Sequence, residues 1–302
     1  MLLLPLFASL FVGARGAWTH GWDTAGAQLW ADFAARPGPL TPAQLAFAAK
    51  TYAVVSLEKC FDQANYPGDN EGAVRAAATA LRALNPAIKI LFYYSSIDSF
   101  GDCYASGPVF EGTPAWYLRN DSGAPYGGQN RHKFDLSQAA VRDFVATAST
   151  NVTGAAELLD GVFADSALDE EIAGMSRARN AAYMAGHHAS LNGTRERVRA
   201  AMRPGAQLIA NALGNYNGVP GDPSHGLAIL PYVDGFCMEH FIAFESLDQR
   251  TGALSAAMFA ESFAQLRAAA AANKTVLVVR FARETPQSAR PQAARPHTQT
   301  RH

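Results

Sequence analysis

The chain has 302 residues, of which 49% are hydrophobic and 17% charged, with a formal net charge of −1. That composition supports a sizeable core and excludes a globally disordered chain. Near-neutral charge, with no basic stripe carrying interleaved aromatics, gives no expectation of a nucleic-acid partner.

Residues 1–16 are apolar from Leu2 to Val12 and then place Ala14 and Gly16 at the −3 and −1 positions of a cleavage site. They read as a signal peptide, too short to span a bilayer, with an uncleaved anchor as the alternative. No later segment is a membrane-span candidate. Sequons at Asn120, Asn151, Asn192 and Asn273 add to the expectation of a glycoprotein that is secreted or held in the secretory-pathway lumen, off the membrane once the signal is cleaved. The three cysteines allow a Cys60–Cys103 bridge with Cys237 free, or three buried thiols.

Residues 17–49 are rich in tryptophan (Trp18, Trp22, Trp30) and then helical, with Thr41 as the cap and Pro42 in the first turn. Tyr52 to Leu57 is a β-rich run that finishes on Glu58, Lys59 and Cys60. An alanine-rich helix over 71–84 stops at Asn85-Pro86, and Lys89 to Ser95 forms the second strand, ending on Tyr93, Tyr94 and Ser95. Residues 97–132 are a long irregular stretch carrying Trp116 and Tyr117, of a length that is usually functional. Phe134 to Leu136 reads as a very short third strand, before a helix over 138–150.

Asp160 to Ser166 is the fourth strand, Gln207 to Leu213 the fifth, Tyr232 to His240 the sixth and Thr275 to Phe281 the seventh, separated by helices over 175–202 and 253–272 and a loop over 214–226. Alternation of strands and helices along the whole chain is α/β, and apolar strand runs argue for cover on both faces. With no glycine-rich phosphate fingerprint after the first strand, a (β/α)8 TIM barrel over residues 17–282 is favoured over a doubly wound sheet. Residues 283–302 have no apolar periodicity and read as a disordered tail. The barrel is therefore expected to be incomplete at its C-terminus, with strand eight missing, as in a truncated or mispredicted gene product.

Two stretches share one grammar. Asp160-Gly161-Val162-Phe163-Ala164-Asp165 and Asp234-Gly235-Phe236-Cys237-Met238-Glu239 both run Asp-Gly, three uncharged residues, then an acid. Parity puts Gly161, Phe163 and Asp165 on one face, and Gly235, Cys237 and Glu239 likewise. In such barrels catalytic groups end the strands. Asp165 and Glu239 are thus the candidate catalytic pair, since glycoside hydrolysis requires two facing carboxylates. Asp160 and Asp234 start their strands and read as turn residues.

Glu58, Lys59, Tyr93, Tyr94, Asp135 and Asn211 end other strands and are candidate substrate-binding residues, with Arg280 ending the seventh. Glu58-Lys59 reads equally as a structural ion pair. Asp135 and Asn211 are each divided between sugar hydroxyls and support of another side chain. Trp116, Tyr117 and Phe241 suit stacking against sugars. His240 is expected to support the site, and His187-His188 to lie on a helix surface. No spaced His/Asp cluster points to a metal, and no cofactor is expected.

The strings Ser56-Leu57-Glu58-Lys59-Cys60, Asn85-Pro86 with Ile90 to Tyr94, Lys133 to Ser137 and Asp160 to Ser166 together resemble hypothetical glycosyl hydrolase family 15, a group of TIM-barrel glycosidases. The resemblance runs over roughly residues 41–280. It implies a barrel fold, glycoside hydrolysis, and Asp165 as nucleophile or stabiliser with Glu239 as general acid/base, an arrangement that goes with retention. The alternatives are a carbohydrate-binding pseudoenzyme on the same barrel, and a lyase or isomerase using Glu58-Lys59 as its acid/base pair.

Overall fold

The computed structural model describes residues 29–33, 38–128, 130–152, 156–167, 171–213, 226–239 and 256–278. The expectations placed on residues 1–16 and 283–302, on most of the 214–226 loop, and on Trp18, Trp22, His240, Phe241 and Arg280 lie outside the described residues. Seven strands form one parallel sheet in chain order. They are β1 (Leu29–Phe33), β2 (Tyr52–Leu57), β3 (Lys89–Ser95), β4 (Gly161–Asp165), β5 (Gln207–Leu213), β6 (Gly235–Met238) and β7 (Thr275–Val278).

Helices α1 (Pro42–Thr51), α2 (Asn70–Leu84), α4 (Ala139–Ala148), α5 (Arg177–Ala201) and α6 (Ala256–Ala271) lie between them, with the short α3 (Gly107–Glu111) inside the β3–β4 connection. Strictly sequential neighbours are the order of a barrel wall, whereas a doubly wound sheet reverses its order. Among the described residues no eighth strand pairs with β1 or β7.

The count of seven is reached by a different route from the one the sequence indicates. Leu29–Phe33 is an additional strand, paired along β2. Phe134 to Leu136 is not a strand of this sheet, because β3 pairs directly with β4 from Leu91↔Gly161 to Ser95↔Asp165 and leaves no edge between them. Phe134 instead bridges Tyr117 antiparallel and donates its N–H to Ile97 O at 2.9 Å. At α1 the expected start is found: Thr41 and Gln44 form a reciprocal capping box with Pro42 in the first turn.

The sheet has two unlike faces. Val54, Leu91, Tyr93, Phe163, Ile209, Cys237 and Leu277 make a small inner cluster. Alternate residues, among them Val55, Phe92, Tyr94, Ala164, Leu208 and Phe236, join the larger core against the helices. Phe163 and Cys237 both point inward, so the parity read for the two Asp-Gly stretches is the parity found.

The shared grammar has a physical basis at the strand entries. Asp160 N donates to Ile90 O at 2.8 Å, and the Asp160 carboxylate accepts from Ile90 N at 2.9 Å. Asp234 repeats this on β5, with its N donating to Leu208 O at 2.9 Å and its carboxylate accepting from Leu208 N at 3.0 Å. Each Asp clamps its strand to the preceding one and fixes the register. Each is also tied to a helix arginine, Arg82 for Asp160 and Arg199 for Asp234.

Gly161 has φ +154°, and a Cβ there would lie 2.0 Å from Gln207 O; one at Gly235 would lie 2.7 Å from Thr275 O. The glycines admit the next strand's first carbonyl. Asp160 is more than a turn residue: it is 2% exposed and also faces Lys89 Nζ at 3.3 Å and Arg203 Nε at 3.4 Å.

Cys60 and Cys103 are bonded and Cys237 is free and buried, which selects the first of the two cysteine arrangements. The bridge ties the turn after β2 to the β3–β4 connection. His187 is not a surface residue. It is fully buried on α5, with Nε2 3.3 Å from Ser96 Oγ, while His188 stacks on Tyr232. Burial, with His188 adding to it, lowers the His187 pKa to about 3. Among the described residues no helix is long and apolar enough to cross a membrane.

Asp160→Ala leaves the part-buried Arg82 and the Ile90 N–H without their partner, while Lys89 and Arg203 can turn to solvent, and should destabilise the fold by about 3–5 kcal/mol in urea unfolding; a change below 1 kcal/mol would contradict the clamp. The folded His187 takes its proton near pH 3 and the unfolded one near 6.5, so acidification between those values favours unfolding. The stability lost between pH 7 and 5 should be about 2 kcal/mol smaller in His187→Gln than in the parent chain. Equal losses would show that His187 is not held neutral.

Candidate active site

β4 delivers Asp165 at its C-terminal end, and the chain then turns through Ser166 at φ +55°. A non-glycine residue in that region is uncommon, and such strain concentrates at functional sites. The turn is pinned from both sides. Ser96 N and Ser96 Oγ each donate to Asp165 O at 2.9 Å, and Ala167 N donates to Asn211 O at 3.1 Å. Glu239 follows the last residue of β6, two positions beyond Cys237 and on its face.

Asn211 stands between the two acids. It lies on β5 in register with Cys237 and is 2% exposed. Its Nδ2 donates to Asp165 Oδ1 at 2.9 Å and to Glu239 Oε2 at 2.6 Å. Two bonds from one nitrogen place those oxygens within about 5.5 Å of each other. The other oxygen of Asp165, Oδ2, accepts from the Tyr93 hydroxyl.

Tyr93 in turn accepts from Lys59 Nζ at 3.1 Å, and Lys59 donates to Glu58 Oε2 at 3.0 Å. One hydrogen-bonded line thus runs Glu58, Lys59, Tyr93, Asp165, Asn211, Glu239 across the rim from β2 to β6. It carries three acids and one cation, so its field is negative and suits positive charge developing on a bound group. The Tyr93 pKa is raised, by burial first and by the Asp165 charge second, which keeps the phenol a donor.

Six of the eight residues singled out in the sequence are on this line, and two are not. Tyr94 cannot share the inner face with Tyr93, since consecutive strand residues alternate. It faces the helices, 5.0 Å from the Tyr104 ring and stacked on Phe134 at 6.5 Å. Asp135 serves the start of α4, accepting from Ser137 Oγ at 2.6 Å and Gln138 Nε2 at 2.8 Å.

The loop aromatics also have other duties. Trp116 packs on Phe144, and Tyr117 stacks on His132 at 3.9 Å. Sequence reasoning missed Ser96 and Phe100, whose ring lies 5.3 Å from Lys59 Nζ, and placed Tyr104, whose hydroxyl holds Tyr93 O at 2.9 Å, in the long 97–132 stretch without assigning it to the site.

A surface cleft of about 510 Å³ lies elsewhere, between the start of α2, α3 and the end of α4. It holds Glu71, whose pKa burial raises, but none of the acids on the line. Cys60, Asp102 and Cys103 lie close enough to be considered as metal ligands, but the disulfide leaves them no thiolate.

Among solved structures, the glycoside hydrolase domain of PelA from Pseudomonas aeruginosa is similar, with a TM-score of 0.52 at 15% identity over 84% of this chain and 83% of that one. The α-galactosidase AgaB from Geobacillus stearothermophilus scores 0.48 at 14% identity, over 83% of this chain and 38% of that one. TtGalA from Thermus thermophilus, an α-galactosidase solved in complex with stachyose, scores 0.47 at 12% identity, over 84% and 61%. The chain thus spans most of the PelA domain but less than two thirds of either galactosidase. The first of these likenesses shows a shared fold. No curated protein matches the chain. The model of hypothetical glycosyl hydrolase family 15 matches residues 82–294, more than half of the sequence. With that match added to a parallel, sequentially ordered sheet whose rim carries two bridged acids, the chain belongs to hypothetical glycosyl hydrolase family 15.

Proposed function

We propose that the chain is a retaining glycoside hydrolase of the secretory pathway that cleaves an O-glycosidic bond, with Asp165 as nucleophile and Glu239 as general acid/base on the wall of a (β/α)8-type barrel. The observation that carries this reading is the Asn211 amide shared by the two acids. It keeps their facing oxygens no more than about 5.5 Å apart, which favours the close carboxyl spacing of retention, about 5–5.5 Å, over the roughly 6.5–9.5 Å that inversion needs to admit a water.

In the first half-reaction, protonated Glu239 gives its proton to the glycosidic oxygen. The bond from the anomeric carbon to that oxygen breaks, its electron pair leaving with the oxygen, while Asp165 Oδ1 bonds the carbon. In the second, the Glu239 carboxylate takes a proton from water as the water oxygen attacks. The ester bond breaks and its electron pair returns to Asp165. Both transition states carry positive charge on the sugar ring, which the net negative line of side chains favours. Carbohydrate is the partner this chemistry requires.

Chromogenic glycosides and polysaccharides supply the test. Glu239→Gln should lower hydrolysis by on the order of 10²- to 10⁴-fold, Asp165→Asn at least as much, and NMR should show the product's anomeric configuration retained at first release. Inverted product, or full activity in either variant, would remove the assigned roles. Glycan binding without turnover would identify a carbohydrate-binding pseudoenzyme instead.

A further inference from the structure

We infer that Lys59 and Tyr93 form a donor relay that controls the return of charge to Asp165 in the second half-reaction; this rests on the retaining role proposed for the same carboxylate. Tyr93 has no freedom to serve a substrate. It is 1% exposed, its ring stacks on Phe163 at 5.9 Å, and Tyr104 holds its carbonyl. Its single proton goes to Asp165 Oδ2 and its oxygen accepts from Lys59 Nζ at 3.1 Å. A phenol that accepts from a cation is a stronger donor, because linked hydrogen bonds polarise one another. Lys59 is aimed by Glu58 at 3.0 Å and sits 4.3 Å from the Tyr93 ring centroid. Both are therefore positioning residues for Asp165.

The two halves of the reaction treat this donor differently. Asp165 Oδ1 faces Glu239 across Asn211 and is the oxygen that bonds the sugar. Oδ2 then becomes the ester carbonyl and keeps the Tyr93 bond. A hydrogen bond to a carboxylate is stronger than one to a neutral carbonyl. As the ester C–O bond breaks and the electron pair returns to Asp165, the Tyr93 bond strengthens, which lowers that barrier. During the first half it stabilises the starting carboxylate instead and gives no comparable help. Loss of the donor should therefore slow breakdown of the glycosyl-enzyme more than its formation.

The experiment uses the full chain and a panel of 2,4-dinitrophenyl glycosides, whose leaving group makes the first step fast, followed by stopped flow. Tyr93→Phe, which keeps the ring and its packing, should lower kcat on the order of 10- to 100-fold. Its kcat/KM should stay within about threefold, and a burst of dinitrophenolate near one equivalent should appear. Lys59→Ala should show the same split more weakly, Lys59→Arg should recover most of kcat, and Lys59→Ala should add nothing in the Tyr93→Phe background. Equal falls in kcat and kcat/KM without a burst, or additive effects of the two changes, would overturn the relay while leaving the hydrolase reading intact. Failure of the parent chain to turn over any glycoside would overturn both.

Discussion

Two carboxylates about 5 Å apart on the rim of an apolar sheet would, with both ionised, repel by on the order of 3 kcal/mol at an effective dielectric near 20. The Asn211 amide turns that repulsion into a held geometry by donating one proton to each acid. A hydrogen bond to a charged group contributes roughly 1.5–3 kcal/mol, so two of them offset the repulsion. The other members of the hydrogen-bonded line extend from this bridge. Tyr93 takes the remaining oxygen of Asp165, Lys59 takes Tyr93, and Glu58 balances Lys59.

The bridge can exist only if three strands end at matched heights, and the strand entries set those heights. Asp160 and Asp234 clamp β4 and β6 to their preceding strands, and the glycines that follow admit the next strand's carbonyl. Four residues further along each strand, the same count places Asp165 and Glu239 at one level. Stability at the bottom of the sheet and chemistry at the top are therefore two ends of one module used twice. The arginines of α2 and α5 fasten each module to the helix layer.

Much of this could be read in the sequence because strand parity is a hard constraint. Once Asp-Gly starts a strand, the acid five residues on faces inward with Phe163 or Cys237. Parity failed where nothing fixed its phase. Ile90 to Tyr94 is apolar throughout, so no alternation distinguishes Tyr93 from Tyr94, and only the packed structure sends one to the site and the other to the helices. Phe134 to Leu136 has strand-like composition but is loop backbone folded onto the β3–β4 connection. Leu29–Phe33 is five residues with no strong β signature, and pairing along β2 makes it a strand. His187 sits on a helix with polar residues all round, which hides the face it buries.

The proposed chemistry depends on Asp165 as the group that bonds the sugar. The most direct measurement is mechanism-based labelling with an activated 2-deoxy-2-fluoro glycoside of whichever sugar the chain hydrolyses, followed by mass spectrometry of the intact and digested protein. A mass increase of one glycosyl unit, located on the peptide carrying Asp165 and absent from Asp165→Asn, is the predicted result. A label on another carboxylate, such as Glu58 or Glu239, would contradict it.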